Sequence, residues 1–127
     1  MARPRRRDVS PEQFDLLVQQ ALAELPAPYA RLAQEVSVVV EEEPPPDVLE
    51  DLELDSADDL LGLYQGLPVA AESFFHTGGQ QPPRIAIYRG PILRLCETAE
   101  DVRREIRDTV VHELGHHVGL GDDDMPY

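Results

Sequence analysis

The sequence predicts a single α+β domain, a small sheet of about three strands packed on two main helices. Three observations predict it. Two stretches carry apolar residues at helical spacing, short β-branched or alternating stretches lie between them, and 127 residues is the length of one domain. With 42% of residues apolar, the chain has enough to bury a core.

The first helix opens at Ser10-Pro11-Glu12-Gln13. Ser10 suits the N-cap, Pro11 the first helical position, and Gln13 sits three residues after the cap, as a capping box requires. Phe14, Leu17, Val18, Ala21, Leu22 and Leu25 recur at helical spacing, and Pro26 and Pro28 end the run. Residues 1–9 read as a flexible basic arm, and residues 10–127 as the domain. Val36, Val38, Val39 and Val40 predict a strand bounded by EEEPPP. Residues 41–59 are rich in proline and acid and read as a loop with at most a helical turn. A short strand is expected near Leu63 and Tyr64, then a second long loop over residues 68–82. Arg84 to Arg89 (RIAIYR) alternates cleanly, with Ile85 and Ile87 on one face. Gly90-Pro91 breaks that strand, and Ile92, Leu93 and Leu95 predict a short helix. Thr98 then reads as the N-cap of a helix running through Val118, with acids in its first turn. A pair such as Glu100 with Arg104 on its solvated face adds little.

Charge excludes some functions. The net charge is −14, and four arginines cluster at positions 3, 5, 6 and 7; the remainder carries 7 basic and 25 acidic side chains, a net of −18. Such a body repels nucleic-acid phosphate and anionic membranes. No apolar run approaches a membrane span, and the basic start is not followed by the apolar stretch of a signal peptide. The expected location is the cytoplasm. The one cysteine, Cys96, leaves no intramolecular disulfide and reads as a small buried hydrophobe.

The chemistry lies near the C-terminus. His112 and His116 are four apart on a predicted helix, so both imidazoles share one face, one turn apart, as two ligands of one ion require. Glu113 can reach a metal-bound water from the neighbouring face. Zinc lowers the pKa of that water to about 7, and a carboxylate can then take its proton. A catalytic zinc site wants a third protein ligand. Gly119 offers a helix-ending turn three residues after His116, and Asp122 follows it by three, so the run reads HExxHxxGxxD. Histidine usually fills the last position of that pattern; aspartate is an acceptable zinc ligand there. Asp123, Asp124 and, upstream, His76 are rival third ligands. His117 points off the ligand face and reads as a packing or supporting residue.

The motif, together with LLGLYQGLPV (60–69) and PRIAIYRGPILRLC (83–96), resembles the small bacterial zincin-like metallopeptidases, or minimal metalloproteases. The resemblance covers about residues 60 to 125. It implies a minimal zincin-like fold, a twisted sheet with the metal helix beneath it. It also implies a zinc-dependent peptidase with His112, His116 and Asp122 as ligands and Glu113 as base. Tyr64, Tyr88 and Tyr127 are candidate oxyanion donors. Arg84 to Tyr88 is the candidate strand edge for an extended peptide or protein substrate. The acids at 122–124 favour a cationic one. Two other readings remain: a divalent-metal-binding domain without protease activity, and an acidic interaction module using the long loops.

Overall fold

The computed structural model describes Arg5, residues 8–66 and residues 82–119. Their order is α1 (Pro11–Ala23), α2 (Tyr29–Leu32), a 3-10 turn (Ala33–Glu35), β1 (Ser37–Glu41) and α3 (Pro46–Asp51). A second 3-10 turn (Ala57–Asp59), β2 (Gly62–Gln65), β3 (Arg84–Tyr88), α4 (Arg89–Leu95) and α5 (Ala99–His117) follow. The α+β class and the three-stranded sheet are as the sequence predicts. No described helix is long and apolar enough to cross a membrane.

The start of α1 is a complete capping box. The Gln13 amide donates to Ser10 Oγ at 3.1 Å, and the Ser10 amide donates to Gln13 Oε1 at 3.0 Å. Val9 and Phe14 flank this cap as a hydrophobic staple would, and both are buried in the core. The side chain of Arg89 also donates to the Val9 carbonyl. Val9, which the sequence assigns to the flexible arm, is thus part of the core. The arginine run dominates the reading of that stretch, whereas the staple fixes its last residue.

The sheet order is β1-β3-β2. β1 runs parallel to β3, with Val38 opposite Ile85 and Glu41 opposite Tyr88. β2 runs antiparallel, with Gly62 opposite Ile87 and Gln65 opposite Arg84. Arg84–Tyr88 is thus the central strand, paired on both sides, and offers no edge to a substrate. This corrects the sequence expectation. Alternation reports which face is buried, not whether a strand lies inside a sheet or at its rim. Among the described residues the side of β2 away from β3 carries no strand.

Ile85 and Ile87 do share one face, as predicted. They join Phe14, Val18 and Ala21 of α1 and Val102, Ile106, Val110 and Leu114 of α5 in one buried cluster. Fully burying each large side chain is worth about 1.5–3 kcal/mol, so this cluster seats α5 against sheet and α1. At its N-terminus, Thr98 Oγ1 accepts from the Asp101 amide at 3.1 Å. Arginines pair three residues back, Arg103 with Glu100 and Arg104 with Asp101, in place of the expected Glu100–Arg104 pair. Helical side chains lean toward the N-terminus, and both spacings lie within reach.

Gly62 decides how closely β2 approaches α5. A Cβ there would lie 2.6 Å from Thr109 Cγ2 and 3.0 Å from the Ala86 carbonyl oxygen. Overpacking of this kind costs about 1–3 kcal/mol. Gly62→Ala is therefore expected to lower stability in urea by about that amount, and adding Thr109→Ala to restore part of it. Equal stability of Gly62→Ala and wild type would contradict the close approach.

Candidate metal centre

The last turns of α5 carry the motif. The rings of His112 and His116 meet edge to face, centroids 5.1 Å apart. Their candidate ligand atoms and those of Glu113 all lie within 4.8 Å of one another. Two imidazoles and a carboxylate converging in this way fit a divalent ion.

Glu113 differs from its neighbours. It is only 8% exposed, while the two histidines are half-buried. A carboxylate in that position needs hydrogen bonds to offset its lost hydration. One comes from the edge strand: the Tyr64 amide donates to Glu113 Oε1 at 2.8 Å. One carboxylate oxygen is thus held by the backbone of β2.

Beyond His117 the helix ends. Val118 caps it, Gly119 takes a φ of 91°, and the Gly119 amide donates to the His116 carbonyl at 3.0 Å. That φ lies in the left-handed region that glycine adopts without strain. The chain turns where the spacing of the motif requires it. Asp122 lies outside the described residues, as do Asp123, Asp124, His76 and Tyr127.

His117 is off the ligand face and 2% exposed. Its Nδ1 is 2.9 Å from the Tyr64 hydroxyl, and its Nε2 is 2.9 Å from Glu35 Oε1. The side chain of Tyr64 is thus turned toward His117 while its backbone serves Glu113. Tyr88, the other described candidate for oxyanion donor, has no exposed surface, and its hydroxyl has no hydrogen-bond partner among the described residues. Burial first, and then the Glu41 carboxylate, push its phenol above the ordinary tyrosine range.

The site opens into a cleft of about 910 Å³. α5 lines it from Glu105 to His116, the edge of β2 forms a second side, and Leu52, Leu54 and Leu60 form a third. Leu52 and Leu54 come from the stretch, residues 41–59, that reads as an acidic loop. Their spacing among the acids was the available signal for an apolar wall. Asp59, Glu105 and Asp108 add carboxylates to the lining.

Comparisons with known proteins bear on this arrangement. The model of the zincin-like metallopeptidase family matches residues 33–127. A solved structure of a conserved hypothetical protein from T. thermophilus is similar, with 26% identity and a TM-score of 0.54. The likeness covers 86% of this chain and 94% of that one. No curated protein matches the chain. A small α+β domain that presents HExxH on a helix beneath an edge strand is a zincin-type domain. The chain belongs to the zincin-like metallopeptidase family.

Glu105 yields a pH prediction. Burial, and then the neighbouring Asp108, hold its carboxyl above the usual range. A carboxyl with a raised folded-state pKa binds more proton folded than unfolded. Its stability contribution therefore falls as pH rises through the unfolded value toward the raised folded one. Glu105→Gln is expected to stabilise the fold at pH 7 relative to wild type, with the advantage shrinking toward pH 4. Urea unfolding of both proteins across that range checks it; a pH-independent difference would contradict the assignment.

Proposed function

We propose that the protein is a zinc-dependent metallopeptidase in which His112, His116 and Asp122 hold the ion and Glu113 is the general base. The observation that carries this reading is the Glu113 carboxylate, buried beside the two histidines and held at one oxygen by the edge strand. A purely structural zinc site has no need of a positioned base next to its ligands. Family membership points the same way.

Zinc, when bound, supplies a Lewis acid and lowers the pKa of its water. The protein's part is positioning and proton transfer. Glu113 accepts a proton at Oε2, the oxygen not bonded to the Tyr64 amide, and returns it to the departing amine nitrogen. An extended peptide pairs with the outer side of β2, which takes the role that the sequence suggests for Arg84–Tyr88. The carboxylates of Asp59, Glu105 and Asp108 along the cleft, and a net charge of −14, support a preference for cationic peptides.

The test is a comparison of variants on a broad peptide library with zinc measured in parallel. Glu113→Gln keeps the acceptor for the Tyr64 amide but not the base. It is expected to retain zinc and lose about 10²–10⁴-fold in cleavage. Cleavage that survives Glu113→Gln would overturn the mechanism, and wild type that holds zinc but cleaves nothing would overturn the function. The ligand set has its own check. His116→Ala and Asp122→Ala are each expected to weaken zinc binding while Asp123→Ala leaves it unchanged; the reverse order would reassign the third ligand.

A further inference from the structure

We infer that Glu35, His117 and Tyr64 form a strut that positions the Glu113 carboxylate through the backbone of β2. The inference rests on Glu113 being the base of the proposed peptidase, and it makes these three positioning residues.

The strut joins three parts of the fold. Glu35 ends the 3-10 turn before β1, Tyr64 lies in the edge strand, and His117 is the last residue of α5. Two hydrogen bonds of 2.9 Å link them in the order Glu35 Oε1, His117 Nε2, His117 Nδ1, Tyr64 hydroxyl. The chemistry assigns the protons. A carboxylate only accepts, so Nε2 carries the ring hydrogen. In the neutral ring that leaves Nδ1 as an acceptor, and the Tyr64 hydroxyl donates to it. Every polar atom of a ring that is 2% exposed is then satisfied.

Tyr64 is where this chain of hydrogen bonds meets the site. Its hydroxyl is tied to His117, and its amide is tied to Glu113 Oε1 at 2.8 Å. One residue thus bonds α5 at two places, four residues apart along the helix. β2 is only four residues long and has one unpaired side among the described residues. Such edge strands belong to the readily opened parts of a fold. Packing alone, through Gly62 on Thr109, sets the distance between strand and helix. It does not stop the strand sliding along α5. The ladder to β3 fixes the register of β2 within the sheet, and the phenol anchor ties the strand to α5 itself, beside the point where the amide meets the carboxylate. An apolar residue at position 117 would fill the space without a polar network. A fully bonded buried network specifies one geometry, which an apolar contact does not.

The test uses the full chain, isotope-labelled, with and without zinc, as wild type, Tyr64→Phe, Glu35→Gln and Glu35→Ala. Ring nitrogen shifts are expected to show His117 as the Nε2–H tautomer in wild type. Hydrogen exchange of the backbone amide at position 64 is expected to rise about fivefold in Tyr64→Phe, the loss of one ordinary hydrogen bond. Glu35→Ala should raise it as well, whereas Glu35→Gln, which keeps an acceptor for Nε2–H, should restore slow exchange. In the zinc-loaded chain, Tyr64→Phe and Glu35→Ala should lower kcat about tenfold with KM nearly unchanged, the mark of a misplaced base. Should Tyr64→Phe fail to fold, the Glu35 pair carries the test, since Glu35 is exposed. Unchanged exchange at position 64, or His117 as the Nδ1–H tautomer, overturns the strut whether or not the chain cleaves peptides. Faster exchange in a chain that cleaves nothing leaves the strut standing and removes only the peptidase.

Discussion

The 2.8 Å hydrogen bond from the Tyr64 amide to Glu113 joins the sheet to α5, the helix that carries HExxH. Most of the architecture serves to make that contact. Gly62 lets β2 lie against Thr109 of α5, where any side chain would hold the strand away. β3 fixes β2 from the other side through the antiparallel register. The buried cluster of α1, β3 and α5 keeps the helix under the sheet. Shifting any of these would move a buried carboxylate away from the backbone donor that β2 supplies, and a buried carboxylate that loses a donor is costly.

Polar burial and acidity are arranged differently around the site. Close to the histidines, the polar groups Glu113, His117 and Tyr64 are hydrogen-bonded across the strand–helix junction. Further along α5, Glu105 and Asp108 line a cleft that is also lined by leucines. The first arrangement fixes geometry, the second sets a field. Residues 41–59 contribute to the second, although most of their length looks like solvated acid. Arg94 ties this stretch to α4 through Glu43 and Asp58, and the pairing with Arg94 holds the Glu43 carboxyl below the usual range.

Much of the fold was legible in the sequence because its signals are local. The Ser10 capping box, the Thr98 cap, the β-branched run at β1 and the helical spacing of His112 and His116 each depend on residues a few positions apart. The Gly119 turn is local in the same sense. Less was legible where the cause lies far along the chain. Nothing near Arg84 says that β1 and β2 will pair on both of its sides. Nothing near His117 points to Glu35, which is 82 positions away. The short helix α2 and the burial of Val9 were also hidden, the first because two prolines mask it and the second because the arginines before it dominate. In the candidate site the pairing of His112, Glu113 and His116 follows from helix periodicity, whereas the donor that holds Glu113 comes from a different element.

The proposed peptidase cleaves peptides only with zinc bound. A titration of metal-free protein with zinc, followed by peptide cleavage at each step, tests it most directly. Cleavage is expected to rise in proportion to bound zinc, to stop rising when one ion per chain is bound, and to be abolished by a chelator. Cleavage by the metal-free chain, or a chain saturated with zinc that leaves every peptide of a broad library intact, would contradict it.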